Sequence, residues 1–275
     1  MKMLVTGSAG FIGSAVKAEL ESRGMEMIAF DTAQGNVLDH MSLWAAVARA
    51  DAVINLAGRL GTSETFGEER DTAAVNIIGA LNVADACAHF EIPMVQIGTG
   101  HKGQPNPYAI TKACAEDLLL GRAKNSGQPI TVVRAFHAYG PGQKAYPPHG
   151  VSPVRKIIPS FVCRALTGLP LEVTGDGTQV VDLVHVREVA RVLVDAIGAR
   201  VGEVVEAGTG QGMRVTDVAK TVIEYCRSRS SIMYVPMRPG EPQHSEVVAG
   251  APACDHPFPF GLTETVAYYR KLITA

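Results

Sequence analysis

The chain has 275 residues, of which 47% are hydrophobic and 19% are charged, and its formal net charge is −2. This composition supports one large domain or two modest ones, and it gives no reason to expect nucleic acid or a membrane as partner, because the charge is near zero and no apolar run reaches spanning length. Five scattered cysteines without metal-ligand spacing predict reduced thiols and no metal site, and a start directly on a strand predicts no signal peptide, so we expect a cytoplasmic protein.

The first predicted elements are a strand, a glycine-rich turn and a helix. Residues 1–5 are apolar apart from Lys2, residues 6–13 contain three spaced glycines, and a helical pattern follows. Gly7 permits a tight turn, Gly10 lets the backbone approach a pyrophosphate at the helix N-terminus, and Gly13 lets the helix pack on the strand. Because the strand and the helix supply the context that the motif needs, we predict a dinucleotide-binding turn rather than an ordinary strand-to-helix connection.

The second strand pattern indicates which dinucleotide binds. Residues 25–30 read as a strand and end at Asp31. An acidic residue about 20 positions beyond the glycines can accept hydrogen bonds from the adenosine ribose, and it would repel a 2′-phosphate. No arginine adjoins Asp31, so NAD is favoured over NADP. The alternative is an aspartate that only ends a strand in a turn.

Beyond Asp31, helical and strand patterns alternate. Helical patterns cover residues 41–49, 71–90, 108–120, 160–167, 187–197, 216–227 and 264–272. Strand patterns cover residues 51–55, 92–97, 129–134, 180–186 and 203–207. This alternation predicts crossover connections and therefore an α/β fold with a Rossmann-like, doubly wound parallel sheet.

Two loop-rich runs, residues 139–159 and 236–260, indicate a second, smaller lobe at the C-terminal side. We predict an NAD-binding Rossmann domain formed by residues 1–141 plus about 180–207. The smaller C-terminal substrate-binding lobe would then be formed by residues of about 142–179 plus 208–275.

A tyrosine and a lysine stand four residues apart in the predicted helix over residues 108–120. This spacing puts Tyr108 and Lys112 on one helix face, where the ammonium would lower the pKa of the phenol. The helix follows the strand that ends near Thr99, and ligands of open α/β sheets bind beyond the carboxyl ends of strands. The three residues are therefore candidates for hydride transfer between an alcohol and a carbonyl with NAD, the alternative being an ordinary exposed pair on a helix.

Further motifs follow along the chain, and together they resemble one enzyme family. The motifs are Thr6-Gly-x-x-Gly-x-x-Gly13, Asp31, Asn55-Leu-Ala-Gly58, Asn76-x-x-Gly79, Thr99, Tyr108-x-x-x-Lys112 and Arg134-x-Phe-x-x-Tyr-Gly-Pro141. In this order and spacing the chain resembles the extended short-chain dehydrogenase/reductases, and more narrowly the NAD-dependent sugar epimerase/dehydratase branch. The resemblance continues to residues 238–240, so it covers nearly the whole chain.

The resemblance implies how NAD is held. The pyrophosphate would lie on the glycine-rich turn, at Gly7, Gly10, Phe11, Ile12 and Gly13. The adenosine ribose would be bound by Asp31, and the adenine would be flanked by Asn36 and Val37. The cofactor channel would be lined by Leu56, Ala57 and Gly58, with Asn76 nearby.

The resemblance also implies catalytic roles. Tyr108 would be the acid/base, Lys112 would bind the nicotinamide ribose and tune the tyrosine, and Thr99 would hydrogen-bond the substrate. His137 and Arg238 would face the phosphate-bearing end of the substrate. Relatives pair the helices corresponding to residues 71–90 and 108–120 across a dimer, so we expect a homodimer.

Departures from the family pattern narrow the activity. Relatives that dehydrate or decarboxylate carry a carboxylate soon after the hydroxyl residue, whereas Thr99 is followed by Gly-His-Lys-Gly, which disfavours a 4,6-dehydratase or a sugar-acid decarboxylase. His101 either assists proton transfer or is a solvated loop histidine. Val181 replaces the usual arginine that grips the nucleotide diphosphate, so Arg155, Lys156 or Arg238 compensates, or the substrate is not an ordinary nucleotide sugar.

The sequence therefore predicts an NAD-dependent epimerase that acts on a sugar or nucleotide sugar through transient hydride transfer and a keto intermediate. One alternative is an NAD(P)H-dependent ketosugar reductase or dehydrogenase of the same family, because the first half-reaction is identical. Another is a dinucleotide-binding protein without catalysis, against which the intact Thr99, Tyr108 and Lys112 set argues.

Overall fold

A computed structural model describes residues 1–274, which contain twelve β-strands and nine α-helices. The strands are β1 (Lys2–Thr6), β2 (Glu26–Phe30), β3 (Ala52–Asn55), β4 (Met94–Thr99), β5 (Ile130–Ala135), β6 (His137–Tyr139), β7 (Leu171–Thr174), β8 (Val180–His185), β9 (Val204–Ala207), β10 (Gly212–Arg214), β11 (Ile232–Val235) and β12 (Glu246–Val247). The helices are α1 (Phe11–Ser22), α2 (His40–Val47), α3 (Glu69–Ala73), α4 (Gly79–His89), α5 (Pro107–Ser126), α6 (Ile157–Leu166), α7 (Val186–Asp195), α8 (Val215–Cys226) and α9 (Leu262–Thr274).

The central sheet has six parallel strands in the order β2-β1-β3-β4-β5-β9. Side chains of β1 alternate between its two faces, as strand geometry requires. Met3 and Val5 join the core beneath α1 and α7, whereas Leu4 joins the core beneath α2, α4 and α5. Helices thus cover both faces, and the predicted α/β fold with a doubly wound parallel sheet is confirmed.

The helix predicted over residues 71–90 is observed with an interruption. It begins earlier, as α3, passes through one π-helical turn at Ala74–Ile78, and continues as α4. The periodicity of apolar residues does not show an inserted residue in the hydrogen-bond ladder, so this turn was not predicted. It carries Asn76, which is buried and belongs to the site described below.

A second body lies over the carboxyl ends of the central strands. β8 pairs with β6, β10 and β12, β7 pairs with β11 in a two-stranded parallel sheet, and α6, α8 and α9 share a core with them. None of the short strands β6, β7, β10, β11 and β12 was predicted, because runs of two to four residues show no clear alternation. β8 pairs within this body, whereas α7 and β9 pack with the central sheet, so our division of residues 180–207 stays a prediction.

One buried carboxylate ties the two bodies together. Both oxygens of Asp182, on β8, accept the backbone N–H of Thr209 at 3.0 Å, and one of them accepts the Thr209 hydroxyl at 2.6 Å. The other accepts the N–H groups of Gly210 at 2.9 Å and Ala249 at 3.2 Å. Asp182 therefore fixes the turn after β9 and the segment after β12 against β8.

Across residues 1–274, no helix is both long and apolar enough to cross a membrane. In the same residues, no group of three or more His, Cys, Asp or Glu side chains is arranged to hold a metal ion. All five cysteines are free thiols, and four of them are buried.

Candidate active site

The glycine-rich turn forms a backbone cradle at the N-terminus of α1. Gly7 has a φ of +66°, and a Cβ on it would lie 3.0 Å from the carbonyl carbon of Leu56. A Cβ on Gly13 would lie 2.5 Å from the carbonyl oxygen of Gly7, so both positions require glycine. No side chain caps α1, and its first N–H groups are therefore free to bind an anion, as a pyrophosphate site requires.

Asp31 holds this cradle from the end of β2. Its carboxylate accepts hydrogen bonds from the backbone N–H of Ala9 at 2.9 Å and of Thr32 at 2.8 Å. Asn36 accepts from the N–H of Leu38 in a turn, and the Val37 side chain is buried, with its carbonyl bonded to Asn82. The structure thus places Asp31 at the turn and keeps Val37 in the protein core.

A cavity of about 780 Å³ runs from this cradle toward the second body. The predicted site residues on its wall are Gly7, Gly10, Phe11, Ile12, Gly13, Leu56, Gly58, Thr99, Tyr108, Lys112, His137 and Arg238. Its lining among residues 1–274 does not include Asp31, Asn36, Val37, Ala57 or Asn76. The glycine-rich turn and the predicted catalytic residues therefore share one continuous space.

Asn76 and Ala57 support the channel from behind. The Asn76 amide accepts the N–H of Arg59 at 2.8 Å and donates to the Arg59 carbonyl at 3.2 Å and to the Thr111 hydroxyl at 3.0 Å. The N–H of Ala57 donates to the Thr6 hydroxyl at 3.1 Å. Asn76 therefore joins the chain after β3 to α5, the helix that carries the tyrosine and the lysine.

A buried hydrogen-bond network leads from β1 to Lys112. The Thr6 hydroxyl donates to Asn55, whose amide donates to Gln96 at 2.7 Å, and the Gln96 amide donates to the Ile97 carbonyl at 2.9 Å. The Lys112 ammonium donates to the same carbonyl at 2.6 Å and is 5% exposed. Gln96 was not predicted as part of the site, since a glutamine inside an apolar strand has no distinctive spacing.

Burial dominates the ionisation of Tyr108 and Lys112. It lowers the pKa of Lys112 to about 8, although the carboxylate of Glu116 acts in the opposite direction. It raises the pKa of the Tyr108 phenol, and a hydrogen bond with Thr99 opposes that shift. The direction for Tyr108 is opposite to our prediction from the four-residue spacing, because desolvation of the phenolate outweighs the hydrogen bond with Thr99.

Two histidines extend the site beyond Thr99. His101 Nδ1 lies 3.1 Å from the Thr99 hydroxyl, which also accepts the backbone N–H of His101 at 3.1 Å. His101 Nε2 lies 3.0 Å from His137 Nε2. Both rings line the cavity, so His101 is not a solvated loop residue.

Charged residues line the far end of the cavity. Arg155 is paired with Glu172, and Arg238 is paired with Glu241 and lies 3.5 Å from Glu64. Lys156 lines the same wall and makes no ion pair within 4.0 Å among residues 1–274. The pKa of Lys156 is lowered, mainly by burial and also by Arg238, although Glu64 and Glu241 act in the opposite direction.

A polar segment forms part of the cavity wall, and we call residues 236–245 the strap. The Ser63 hydroxyl donates to the Pro239 carbonyl at 2.9 Å, and the Thr62 hydroxyl donates to Glu241 at 3.1 Å. The Asn106 amide donates to the Gly240 carbonyl at 3.1 Å. Side chains from the β3 and β4 loops therefore hold the strap, and Arg238 with it.

Comparison with known proteins places this geometry in a family. Residues 3–208 match the model of the NAD dependent epimerase/dehydratase family. The chain is 30% identical over 324 aligned positions to a dTDP-glucose 4,6-dehydratase of an Actinoplanes species, with 98% of each chain covered. It is 29% identical over 322 positions to a UDP-N-acetyl-alpha-D-glucosaminuronate decarboxylase of Bacillus cytotoxicus, again with 98% of each chain covered. Both alignments exceed the 275 residues of this chain, so these relatives carry residues without a counterpart here.

Solved structures agree with this placement. A UDP-glucose 4-epimerase of Thermotoga maritima with UDP-glucose superposes with a TM-score of 0.88 at 26% identity, covering 98% of this chain and 99% of that one. A UDP-glucose 4-epimerase of Thermus thermophilus with NAD superposes with a TM-score of 0.84 at 25% identity and the same coverage. The predicted cofactor, NAD, is confirmed at the level of the family. The chain belongs to the NAD-dependent epimerase/dehydratase family.

Proposed function

We propose that this enzyme is an NAD-dependent epimerase of a nucleotide sugar. The observation that supports the proposal most directly is the shared cavity, in which the glycine cradle and the set Thr99, Tyr108 and Lys112 line one continuous space. NAD, when bound, supplies a hydride acceptor that can return the hydride to the opposite face of the keto sugar. Redox-neutral turnover without net NADH is therefore expected.

The residues of the cradle fit this cofactor. The space above Gly7 and Gly13 would be filled by a Cβ, the first N–H groups of α1 carry no cap, and Asp31 stands at the adjoining strand end. We propose that Gly7, Gly10 and residues 11–13 hold the pyrophosphate and that Asp31 binds the adenosine ribose. Lys112 would bind the nicotinamide ribose, with its position fixed by the Ile97 carbonyl.

Tyr108 is the proposed group for proton transfer at the sugar hydroxyl. Its hydroxyl borders the cavity beside Thr99, which is 3% exposed and can hold the substrate oxygen. Because burial raises its pKa, Tyr108 rests as a neutral phenol and acts most readily as the acid that reprotonates the sugar oxygen. In the oxidising direction Tyr108 must act as the phenolate that accepts the sugar proton, and the ammonium of Lys112 supplies part of the stabilisation that this phenolate needs.

The phosphate-bearing arm of the substrate is assigned to Lys156. Val181, which lines the wall where relatives carry an arginine, offers no charge, and Arg155 and Arg238 are already paired with carboxylates. Lys156 has no such partner in the described chain, so it supports a diphosphate without an exchange of partners. Substituting Lys156→Met should weaken UDP binding by at least about tenfold, whereas Arg229→Met, outside the cavity, should leave it unchanged, as titration calorimetry can measure.

The test of the proposed activity uses the purified protein with a panel of UDP-sugars and dTDP-sugars. Conversion to an epimer without NADH accumulation supports the proposal, and Tyr108→Phe should then lower kcat by about 10²–10⁴-fold. Stoichiometric NADH consumption would support the ketosugar reductase alternative. Formation of a 4-keto-6-deoxy sugar or release of CO₂ would refute the epimerase and match the activities in the names of the dehydratase and decarboxylase relatives.

The assembly and location are also proposals. The exposed side chains of Ile110, Cys114 and Leu118 recur at four-residue spacing on α5, which forms an apolar stripe suited to a second copy of the chain. We therefore propose that the protein forms a homodimer through this stripe. The free thiols of the described chain support a reducing, cytoplasmic location.

A further inference from the structure

A buried carboxylate, Glu116, lies one turn after Lys112 on α5 and is 2% exposed. Its Oε1 accepts hydrogen bonds from the Arg134 guanidinium at 2.6 Å and from the Lys102 ammonium at 3.1 Å. Both of its oxygens also lie 3.2 Å from Arg134 Nε. Two cations, one on β5 and one in the loop before α5, therefore hold this carboxylate, as a charge away from water requires.

Lys112 and Glu116 reach neighbouring residues of β4. Lys112 Nζ donates to the Ile97 carbonyl at 2.6 Å, and a Cβ on the next residue, Gly98, would lie 3.3 Å from Glu116 Oε2. Residues four apart on a helix share a face, and Gly98 places no side chain between the two groups. The carboxylate therefore lies on the side of Lys112 that faces away from the cavity.

Burial opposes the charge that Lys112 needs for its proposed role. Only the ammonium form stabilises a phenolate and donates a charge-assisted hydrogen bond to a ribose hydroxyl. Burial lowers the pKa of Lys112 to about 8, and Glu116 is the group that acts in the opposite direction. The ammonium therefore persists at neutral pH by a margin of only about one pH unit.

We propose that Glu116 is a positioning residue of the reaction, which keeps Lys112 in its ammonium form. This proposal rests on the roles proposed above for Lys112 and Tyr108. Glu116 does not belong to the cavity lining formed by residues 1–274, so it acts through Lys112 and touches neither the sugar nor the cofactor.

The charges around the pair balance one another. Arg134 also lies 3.3 Å from Glu206 on β9, and Lys102 also donates to Asp117 at 2.6 Å. The network thus contains three cations and three carboxylates, which are Lys102, Lys112, Arg134, Glu116, Asp117 and Glu206. Neutralising Glu116 leaves an excess of positive charge beside Lys112, which favours loss of the ammonium proton.

The pH dependence of stability reports on Lys112 without turnover. Because the pKa of Lys112 is lower in the folded than in the unfolded state, the free energy of unfolding rises with pH from the folded value upward. In the wild type this rise should begin at about pH 8, and in Glu116→Gln it should begin about one pH unit lower. Urea denaturation at intervals between about pH 6.5 and about pH 9 measures the shift.

Asp117 offers a matched control. It is the adjacent residue on α5 and also binds Lys102, but its side chain is 66% exposed. Asp117→Asn should keep the wild-type onset, and Glu116→Gln in a Lys112→Met background should no longer change the pH dependence. A Glu116→Gln curve that is lowered by the same amount at every pH would overturn the proposal and leave Glu116 with a structural role.

A second variant keeps the test independent of the buried ion pair. Glu116→Gln leaves Arg134 beside a neutral amide, whereas Glu116→Gln/Arg134→Gln removes both charges of the pair. The double variant should show the lowered onset as well, because Glu116 is the charge that acts on Lys112. An onset equal to that of the wild type in the double variant would also overturn the proposal.

NAD binding shows the consequence at the site. Glu116→Gln should bind NAD as the wild type does at about pH 6 and at least about threefold more weakly at about pH 8, where its Lys112 has lost the proton. Titration calorimetry measures both affinities, and a ratio that is the same at both pH values would overturn the proposal. Absence of turnover on every nucleotide sugar would refute the proposed function, whereas the onset of the stability rise would still report on Glu116. The two failures are therefore distinguishable.

Discussion

Replacing Gly13 by alanine tests the packing that forms the phosphate cradle. The new Cβ would lie 2.5 Å from the Gly7 carbonyl oxygen and 2.6 Å from that of Ser8, whereas ordinary contact begins at 3.4 Å. The N-terminus of α1 must therefore move away from the turn by about 0.9 Å, since both obstacles are backbone atoms. Overpacking of this kind costs about 1–3 kcal/mol, partly offset by about 0.5–1 kcal/mol of helix propensity.

We expect Gly13→Ala to lower the free energy of unfolding by about 1–2 kcal/mol and to weaken NAD binding at least about tenfold. Urea denaturation and titration calorimetry measure the two effects. The matched control is Gly121→Ala in α5, where a Cβ would meet nothing within 4 Å and should stabilise the protein by about 0.5–1 kcal/mol. Wild-type stability and NAD affinity in Gly13→Ala would refute the reasoning, because the cradle would then not depend on the close approach.

Three further predictions concern charge and assembly. Burial lowers the pKa of Lys112 from 10.5 to about 8, so between these two pH values the unfolded state binds more protons than the folded state. The free energy of unfolding should therefore rise with pH across this window, by up to about 3 kcal/mol. Lys112→Met should remove this rise, which denaturation at both ends of the window can measure. Asp182→Asn should lower the free energy of unfolding by at least about 2 kcal/mol, because the amide turns a donor toward the N–H groups of residues 209–210 and 249. Unchanged thermal unfolding would contradict the conclusion that Asp182 holds the two bodies together. Ile110→Glu should convert a dimer to a monomer in sedimentation experiments, whereas the exposed Leu169→Glu, outside the stripe, should not; a wild type that sediments as a monomer would rule out the homodimer.

The N-terminal half was predictable because its signals are local. The strand, glycine turn and helix from β1 to α1 lie next to one another in the chain, and each glycine has a steric reason visible in the structure. Thr99, Tyr108 and Lys112 meet at one cavity because parallel strands present their carboxyl ends at a single edge. Residue spacing and sheet topology were therefore sufficient to predict the glycine-rich turn and the position of these three residues.

The remaining features depend on contacts between distant parts of the chain. The pairing of β6 with β8, and of β7 with β11, joins short segments far apart in sequence, and no periodicity marks such runs. The His101–His137 contact spans 36 residues and depends on that pairing. Spacing predicts that Tyr108 and Lys112 share a helix face, but it does not predict the burial that governs their pKa values.

Asp182 and the strap differ in how they hold the two sides of the cavity. Asp182 binds its donors with a buried charge, so separating the bodies at β8 would strand a carboxylate away from water. The strap is held by hydrogen bonds of Thr62, Ser63 and Asn106 and by the ion pair between Arg238 and Glu64, and all of these are contacts that water can replace at lower cost than those of Asp182. We therefore expect the sugar to enter and leave through displacement of the strap, while the walls of the cavity keep their spacing. Substitutions of Ser63 and Thr62 should then change the rate of product release, whereas substitution of Asp182 should not.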